Sequence, residues 1–278
     1  KPDLVNTHTS KAGVLGRIAA KSIDRSMPVV HTYHGHLIHG YFARYKSIIF
    51  TLIERLLAQF TNVAVSITKE TQTSLQKLKI GKNLEWSVIH LGIPVSSNSI
   101  LPLNDRNKLK LLWVGRFTDI KDPAYAVKVI EELEKLSPGK FELNMVGGGE
   151  LFELSKKSAQ NMPISFSGWL DKPFENSGHF DLLLLTSKNE GMGLVMLEAA
   201  NCRKPTVARN VGGIGEFIAD GVNGLLIDGG PTEMANQINS LKIESLNKMG
   251  EASHQVVIKD FTDKVMANNY LNLYKSLI

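Results

Sequence analysis

Cysteine is nearly absent from this sequence of 278 residues, in which Cys202 is the only one. A single thiol cannot form a disulfide within the chain, whereas small secreted domains usually depend on disulfides. The composition therefore predicts a protein of a reducing compartment, the cytoplasm. A chain of this length buries well over half of its unfolded surface and suits about two domains of ~150 residues each.

Long apolar runs are also missing. The longest candidates are IIFTLI and DLLLLT, whereas a membrane-spanning helix needs about 18 or more apolar residues. No methionine or apolar signal region opens the chain, which begins Lys1-Pro2-Asp3 and continues into the strand-like DLVNT. We therefore expect a soluble or peripheral protein, and this start predicts a chain cut from a longer one.

Positive charge is concentrated in the first third of the chain. Residues 1–98 hold 12 Lys and Arg against 5 Asp and Glu, a balance of +7. The net charge of the whole chain is +5, so the remaining residues carry −2. A basic region can bind nucleic acid, an anionic membrane or an anionic substrate, and on charge alone a merely solvated face is an equal alternative.

The second half alternates predicted strands and helices. Helices are predicted after Asp122, which suits an N-cap and precedes Pro123, and also from about Glu150. Further helices are predicted through Glu198 and near Gly215. The strand candidates are KLKLLWVG (108–115), FELNMV (141–146), ISF (164–166), FDLLLL (180–185), PTVA (205–208) and GLLI (224–227). Short apolar runs joined by glycine-rich turns and helices predict a doubly wound parallel sheet, a Rossmann-like domain.

The first half shows the same alternation with fewer strands. Its strand candidates are DLVNT, PVVHTYH, VAVSIT and WSVIHLG, and helices are predicted over about 12–22 and 41–59. A mononucleotide-binding fold usually has about six strands. One or two strand–helix units are therefore expected to be missing at the front.

A polar segment broken by proline, SSNSILPLNDRN from Ser96 to Asn107, predicts the linker between the two halves. We expect an incomplete Rossmann-like domain over residues 1–98 and a second Rossmann-like domain over residues 99–261. A C-terminal helix over residues 262–278 is expected to pack back on the first domain.

The segment TSKNEGMGLVMLEAA follows the predicted strand FDLLLL and carries the most chemistry. Gly191 and Gly193 allow a sharp turn, and the helix that begins there directs free N–H groups and its positive dipole end toward an anion. Glu190 stands in the loop before this helix. Glu198 lies about one and a half turns into it. The two carboxylates can thus reach different parts of one ligand.

These residues resemble glycosyltransferase family 4. The resemblance rests on the Glu-x7-Glu pattern of EGMGLVMLE, followed by KPTVA and NVGGIGEFI. The pattern alone is weak, and its place between a buried strand and a helix that begins at glycines makes it specific. The resemblance implies that Glu190 addresses the donor sugar as a catalytic residue and that Glu198 holds the ribose hydroxyls. The donor-binding residues that it implies at the turn are Gly191, Met192, Gly193 and Leu194.

The resemblance covers nearly the whole chain and implies a fold. That fold is GT-B, an α/β architecture of two Rossmann-like doubly wound parallel-sheet domains, of which the first is incomplete here. The first domain would face the acceptor, and the second would bind the nucleotide sugar.

Two glycine-containing turns extend the resemblance. VGRFTDIKD resembles the family's Gly-Arg…Lys segment, which implies that Arg116 and Lys121 bind the donor diphosphate. A guanidinium fork and an ammonium can stabilise a departing nucleoside diphosphate without a metal, and a pair of surface cations is the alternative. The VGGGE turn, which contains Gly147, suits close approach of a nucleotide, although a plain turn has the same sequence.

Histidines are frequent near the N-terminus. HTYHGHL resembles the family's sugar-facing loop, which implies that His34 is a catalytic residue near the donor sugar. The five histidines between His8 and His39 lack zinc-ligand spacing and a supporting Cys or carboxylate set, so no metal is expected. His8 and His31 are expected to be structural. No cofactor is expected besides the nucleoside diphosphate sugar, which is a co-substrate.

Some positions depart from the family pattern. Met192 replaces a frequent aromatic residue, Asp122 follows Lys121 where Gly is usual, and residues 201–203 replace a small glycine-containing segment. The family's first strand and glycine-rich loop are absent. SGWLDKP resembles the turn that flanks the base, so Trp169 is expected either beside the base or in the core.

The resemblance implies retaining transfer of a sugar from a nucleoside diphosphate sugar to a sugar or lipid-linked acceptor hydroxyl, in glycan, polysaccharide or glycolipid synthesis. A UDP-sugar is the expected donor, with GDP- and ADP-sugars open. The leaving phosphate would help to take up the acceptor proton, so no acid–base carboxylate pair is required. The sequence has no Asp-x-Asp, which agrees with metal-independent transfer.

Two other functions are alternatives for this sequence. The first is a nucleotide-sugar-binding protein that has lost catalysis. A nicotinamide-dependent oxidoreductase is disfavoured, because no G-x-G-x-x-G follows a strand with an acidic residue ~20 positions on. Nucleic acid is not expected among the partners.

The stretch YFARYKSIIFTLIERLLAQF carries an apolar stripe at helical spacing. Such a stripe is usually core, and that is the main expectation. In the alternative, exposed apolar residues near this helix rest on the inner face of a membrane, assisted by Arg44 and Lys46, where a lipid-linked acceptor would be found. The stripe consists of Phe42, Tyr45, Ile49, Ile53, Leu56 and Phe60.

Overall fold

The computed structural model describes residues 2–35, 44–95, 108–176 and 180–278. The linker expected from Ser96 to Asn107 lies outside these ranges, as does Phe42 of the apolar stripe, and the side chain of Tyr45 is likewise not described.

The described residues form ten strands. They are β1 (Val5–His8), β2 (Val29–Tyr33), β3 (Val63–Ser66), β4 (Glu85–Val88), β5 (Leu109–Val114), β6 (Phe141–Val146), β7 (Ile164–Gly168), β8 (Leu182–Leu185), β9 (Thr206–Arg209) and β10 (Gly224–Ile227). Each overlaps one of the ten apolar runs from which strands were predicted, which confirms the alternation as an α/β fold.

Helices connect these strands. The α-helices are α1 (Ser10–Ile23), α2 (Arg44–Leu57), α3 (Lys69–Lys77), α4 (Pro123–Leu136), α5 (Phe152–Ser158), α6 (Pro173–Asn176), α7 (Leu194–Asn201), α8 (Pro231–Ser240), α9 (Ile243–Asp260) and α10 (Asp263–Lys275). Short 3-10 helices span Ala58–Phe60, Asp119–Lys121 and Gly212–Glu216. Four of these helices, α3, α6, α8 and α9, were not predicted from the sequence, although Pro231 at the first turn of α8 is a start signal.

The chain divides into two compact units. The first contains Lys1–Pro94, Asn189–Met192 and Phe261–Ile278, and the second contains Val95–Lys188 and Gly193–Asp260. The first unit has a sheet in the order β1-β2-β3-β4, and the second has one in the order β10-β9-β8-β5-β6-β7. All the strand pairs are parallel. The carboxyl ends of the strands therefore lie at one edge of each sheet, where the following loops gather.

The sheet of the second unit is covered on both faces. Leu111 and Trp113 of β5 belong to the larger core cluster, with side chains of α4 and α8, whereas Leu112 packs in a smaller cluster with Val195 and Ala199 of α7. Successive side chains of a strand point to opposite faces, so a strand buried on both sides reads as a continuous apolar run. This explains why LLWV and LLLL are apolar without alternation.

In the first unit, α10 covers one face of the four-stranded sheet. Met266, Tyr270 and Leu273 of α10 pack against a cluster that contains Val30 and Val63. The approach to α10 is held by the backbone, because the Ile93 N–H donates to the Phe261 carbonyl at 3.0 Å and the Asp263 N–H donates to the Ile93 carbonyl at 3.0 Å.

A buried ion pair joins α1 and α2. The guanidinium of Arg17, 0% exposed, donates to both carboxylate oxygens of Glu54 at 2.9 and 2.8 Å, and Arg17 Nε donates to the Gly13 carbonyl at 2.9 Å. The Tyr33 hydroxyl donates to Glu54 Oε2 at 3.1 Å. These hydrogen bonds offset part of the cost of burying the two side chains.

This pair corrects the expectation that the apolar stripe of α2 is core. The buried face of the helix carries Thr51, Glu54 and Leu57. Ile49 is 53% exposed and Leu56 is 63% exposed. Phe60 in the following 3-10 helix is 40% exposed. The ion pair and the hydroxyl partner, which periodicity does not show, decide which face of the helix turns inward.

Among the residues described, no helix is both long and apolar enough to cross a bilayer.

Candidate active site

The loop after β5 carries the two predicted diphosphate-binding cations. Arg116 is exposed, and Lys121 is half-buried at the end of a 3-10 turn. Between them, Phe117 is fully buried, and its N–H donates to the Gly148 carbonyl at 2.9 Å. The buried Phe117 anchors the loop so that the Arg116 guanidinium remains on the surface.

The glycine turn after β6 packs against this loop without room for side chains. Gly147 has φ +130°, and a Cβ there would overlap the Gly115 carbonyl oxygen. A Cβ on Gly149 would lie 2.6 Å from the Phe117 carbonyl oxygen. Contacts this short exclude any side chain, so VGGGE is a close-packed junction between two loops rather than an interchangeable turn.

Asp122 explains one departure from the family pattern. Its backbone is left-handed, with φ 50° and ψ 59°, which is a conformation that favours glycine. Its carboxylate accepts from the Tyr125 N–H at 3.3 Å as the N-cap of α4 and pairs with Arg209 at 3.1 Å. Asp tolerates this backbone better than most residues, and its side chain adds two contacts that a glycine lacks.

Arg209 and Thr186 complete the support of this loop, and the sequence analysis missed both. Arg209 donates to the Thr186 carbonyl at 3.2 Å, and its guanidinium carbon lies 4.7 Å from the centre of the Tyr125 ring. Thr186 Oγ1 accepts from Trp113 Nε1 at 2.9 Å and lies 3.0 Å from the carbonyl oxygens of Lys121 and Asp122. The only sequence signal was their place at strand ends.

The predicted turn before α7 is present. Gly193 is the N-cap with φ 68°, so the N-cap residue has no side chain to accept a hydrogen bond, and the first turn contains no acidic residue. Met192 is buried, Leu194 is 45% exposed and Glu190 is 9% exposed. The first-turn N–H groups of α7 therefore have no side-chain cap of their own.

Glu198 lies on α7 and is half-buried. Desolvation raises the pKa of its carboxyl group above the ordinary value. Within the described part of the chain, no hydrogen bond or ion pair of this carboxylate is found. A partly desolvated carboxylate of this kind gains from hydroxyl donors on a ligand.

In the first unit, His34 follows β2 and is exposed. Its Nε2 lies 2.8 Å from Nδ1 of His8 at the end of β1, a hydrogen bond between two imidazoles. The two ring centres are 5.1 Å apart, and the Tyr270 ring of α10 lies 6.4 Å from His8. The sequence analysis expected a structural role for His8, and no sequence pattern indicated that it pairs with His34.

The loop segment 189–192, which the sequence analysis placed in the second domain, is part of the first unit. A Cβ on Gly191 would lie 2.8 Å from the His34 carbonyl oxygen and 3.4 Å from Gly35 Cα. The glycine thus brings the segment that contains Glu190 against the backbone of His34.

His31 is a core residue, as the sequence analysis expected. It is 1% exposed, and its Nδ1 lies 2.8 Å from Thr7 Oγ1. Burial and the positive charge of Arg17 lower the pKa of His31 to about 3. The ring fills the space beside Gly13, where a Cβ would overlap it. His31 is therefore neutral at physiological pH.

Trp169 is 69% exposed, so the expectation that it belongs to the core is wrong. A Cβ on Gly148 would lie 2.5 Å from its Nε1, which shows how closely the indole approaches the glycine turn. Ile164 and Phe166 of β7 pack against the larger core cluster, whereas Trp169, in the turn that follows β7, lies outside it.

In the residues that the structure describes, no three His, Cys, Asp or Glu side chains are grouped as a metal site would need. The expectation that no metal takes part stays a prediction.

Both halves of the chain match glycosyltransferase family models. Residues 1–97 match the model described as Glycosyltransferase Family 4, and residues 108–242 match Glycosyl transferases group 1. The interval between the two matches falls at the predicted linker.

Two glycosyltransferases of Escherichia coli align along almost the whole chain. The O-antigen biosynthesis glycosyltransferase WbnH of Escherichia coli is 28% identical, over 97% of this chain and 74% of its own length. A UDP-Gal:alpha-D-GlcNAc-diphosphoundecaprenol alpha-1,3-galactosyltransferase, also of Escherichia coli, is 26% identical, over 100% of this chain and 76% of its own length.

Solved structures share the fold. HepE of Anabaena, crystallised with UDP and glucose, superposes with a TM-score of 0.83 at 22% identity, over 99% of this chain and 78% of its own. Sucrose-phosphate synthase of Thermosynechococcus elongatus gives a TM-score of 0.83 at 18% identity, over 99% of this chain and 73% of its own.

The two parallel sheets and the solved structures show the GT-B fold, and the family models and relatives show a glycosyltransferase. The chain belongs to glycosyltransferase family 4.

Proposed function

We propose that this glycosyltransferase transfers a sugar from a UDP-sugar to an acceptor hydroxyl with retention of anomeric configuration. The observation that carries the proposal is the strand order of the second sheet. The chain leaves β5 toward β6 and β7 and later returns on the other side of β5 through β8. Ligands of open α/β sheets bind at such a switch point, beyond the carboxyl ends of the strands. Arg116 and the glycine turn lie in the loops that follow β5 and β6, and α7 begins after β8.

The diphosphate is assigned to Arg116, Lys121 and the first turn of α7. A guanidinium on the surface beside a glycine turn can donate two parallel hydrogen bonds to phosphate oxygens. The uncapped N–H groups at Gly193 and Leu194 add donors and the positive end of the helix dipole. As the bond to the sugar breaks, these groups stabilise the charge of the departing nucleoside diphosphate.

Glu198 is assigned to the ribose hydroxyls. Its half-buried carboxylate, with the pKa raised by desolvation, is stabilised when two hydroxyls donate to it. Gly147 allows the nucleotide to approach the backbone closely.

Glu190 and His34 are assigned to the transferred sugar, with Gly191 and Met192 shaping the loop that carries Glu190. The family resemblance supports these roles, and the approach of Gly191 to the His34 backbone supports placing the two residues at one part of the ligand. The leaving phosphate takes up the acceptor proton on the face from which it departs, so the mechanism needs no further base.

The named relatives support the substrate class. HepE was crystallised with UDP and glucose, and the galactosyltransferase is named for UDP-Gal and a diphosphoundecaprenol acceptor. We therefore favour a UDP-sugar donor and a sugar or lipid-linked acceptor in glycan or polysaccharide synthesis.

We also propose a peripheral contact with an anionic membrane surface at the cytoplasmic face. Apolar side chains of α1 and α2 are largely exposed, and exposed apolar patches mark interaction sites. The first third of the chain, which contains both helices, holds the positive balance, and each cation near the surface would add about 1 kcal/mol of attraction. These exposed side chains are Leu15, Ile18, Ile23, Ile48, Ile49, Leu52 and Leu56.

Vesicle co-sedimentation of the full-length protein tests this contact, with anionic and neutral lipids at low and high salt. Binding should need anionic lipid and weaken with salt, and the double variant Leu52→Ser/Leu56→Ser should reduce it. Binding that ignores lipid charge and salt, or no binding, would remove the proposal.

Titration with UDP and with uridine tests the donor site. Arg116→Ala should weaken UDP by about 1.5 to 3 kcal/mol, the value of a charge-assisted hydrogen bond, and should leave uridine unchanged. Lys128→Ala, which removes an exposed cation on α4, is the matched control. Equal losses for UDP and uridine would show that Arg116 does not bind the diphosphate.

The two glutamates separate catalysis from binding. Glu198→Gln should weaken UDP and UDP-sugar alike, whereas Glu190→Gln should spare UDP binding and depress turnover. Glu153→Gln, an exposed position on α5, is the control. A wild-type protein that binds the donor without turnover over any acceptor would instead favour the alternative function, a nucleotide-sugar-binding protein.

A further inference from the structure

Two histidines meet at the carboxyl edge of the first sheet. His8 is the last residue of β1 and pairs in register with Thr32 of β2. His34 lies two residues after Thr32 and directly follows β2. Their contact joins Nδ1 of His8 to Nε2 of His34 at 2.8 Å. Both rings keep exposed surface, so they are available to a ligand. The function proposed above uses only His34.

A hydrogen bond between two imidazoles constrains the protons of both. One nitrogen must donate and the other must accept, so the bridge holds one proton. With Nε2 of His34 occupied, only Nδ1 of that ring remains for a ligand. If His8 donates, a neutral His34 carries its own proton on Nδ1, and if His8 accepts, Nδ1 is a lone-pair acceptor. His8 therefore decides whether Nδ1 of His34 donates or accepts a hydrogen bond.

The surroundings of the pair hold His8 in place. The Tyr270 ring of α10 lies beside His8, and its hydroxyl is 3.1 Å from Thr32 Oγ1. Asn6 donates to the Tyr274 hydroxyl at 2.6 Å one turn further along α10. The charged and titratable neighbours that act on this edge of the sheet are His8, His34, His31 and Arg17. The residues that orient His8 come from both ends of the chain.

We propose that His8 is a positioning residue that fixes the tautomer of His34 and keeps it neutral, so that Nδ1 of His34 is the group presented to the donor sugar. The proposal rests on the placement of His34 at the sugar. Desolvation lowers the pKa of both rings, and a charge on His8 lowers the pKa of His34 further. One added proton leaves a single imidazolium that still donates across the bridge, and the charge of that ring disfavours a second added proton. Because burial also disfavours the first charge, the neutral pair persists to lower pH than a free histidine would.

Nitrogen-detected NMR of the full-length protein tests the pair without any turnover. The tautomer and the titration of His34 are read in the wild type, in His8→Gln, whose amide can still form a hydrogen bond, and in His8→Leu, which cannot. We expect one dominant tautomer and coupled titration in the wild type. In His8→Leu we expect a tautomer mixture and a single titration, with the pKa of His34 higher than in the wild type, because the charge of His8 no longer lowers it. His254 in the second unit serves as the internal reference in every spectrum.

Kinetics supply the second readout. In His8→Leu, kcat should fall by about 10- to 100-fold, KM for the donor should change little, and the acid limb of the kcat profile should move to higher pH. His8→Gln should recover part of kcat. An unchanged tautomer and titration of His34 in both variants would overturn the proposal. Altered spectra with unchanged kcat would show that the pair exists but that His34 is not at the reacting sugar, which overturns the function proposed for His34. If His8→Leu fails to fold, His8→Gln alone decides, through the loss of coupled titration.

Discussion

The edges that carry the predicted site residues are built differently in the two units. In the second unit, the loops after β5 and β6 are joined by glycines and backbone carbonyls that leave no room for a Cβ. In the first unit, the edge is built from side chains: the His8–His34 bridge, the buried His31 and the pair of Arg17 and Glu54.

This difference between the two edges predicts that substitutions in the two units respond differently to pH. Variants at the glycines that join the loops after β5 and β6 should act through steric overlap and be largely independent of pH. Variants in the first unit should act through desolvated charge and protonation, and so depend on pH.

The largest effect is expected from the buried ion pair of the first unit. Arg17→Leu leaves the Glu54 carboxylate buried, with the Tyr33 hydroxyl as a remaining hydrogen-bond donor, and should lower the free energy of unfolding by about 3 to 5 kcal/mol at pH 7. Urea unfolding measures this loss of the free energy of unfolding. The double variant Arg17→Leu/Glu54→Leu should recover part of the loss, because it removes the unpaired charge. A double variant no better than the single one would show that packing, rather than charge, is what the pair supplies.

Gly147→Ala should produce the largest steric effect in the second unit. The added Cβ overlaps the Gly115 carbonyl oxygen and the backbone has φ +130°, so we expect a loss of about 2 to 4 kcal/mol together with weaker UDP binding. Gly139→Ala is the matched control, because Gly139 also has a positive φ of +74° but no atom within 4 Å of a built Cβ. Similar losses at both positions would show that backbone conformation alone is responsible. The loss at Gly147 should not change between pH 7 and pH 5.

His31 should make the first unit sensitive to acid. Its pKa is about 3 in the fold and 6.5 as the ordinary value, so the unfolded chain binds the extra proton between these limits. The contribution of neutral His31 to the free energy of unfolding is therefore complete above about pH 6.5. It is lost as pH falls toward 3, by on the order of 1 to 3 kcal/mol. Urea unfolding at pH 7, 5.5 and 4.5 should show a steeper loss for the wild type than for His31→Asn. Parallel pH dependences would contradict the role given to His31.

The smallest effect concerns the left-handed residue of the second unit. Asp122→Ala strains the backbone at φ 50° and removes both the cap and the Arg209 partner, so we expect a loss of about 1 to 2 kcal/mol and a raised KM for the donor. Asp122→Gly relieves the strain and should cost less than Asp122→Ala in thermal unfolding. If glycine costs as much as alanine, the side-chain contacts rather than the conformation matter at this position.

Much of the second unit was predictable, because its signals are local. A strand buried on both faces must be apolar throughout, and a turn that cannot accommodate side chains must be glycine. The same reasoning located Glu190 before the helix and Glu198 within it. Residues 231–260 were not predicted to be helical, because α8 and α9 are polar on much of their surface and their apolar positions are sparse.

The sequence by itself determined the ten strands, the α/β class and the glycine turn that begins α7, since each depends on residues close together along the chain. Only the tertiary structure decided the partner of His34, the buried face of α2, the exposure of Trp169 and the anchor that Arg209 provides for Asp122. Each of these depends on a contact between side chains that are distant in sequence. Apolar periodicity records that a residue is buried but not which residue it meets, because burial is non-directional whereas hydrogen bonds and ion pairs need a particular partner at a particular distance.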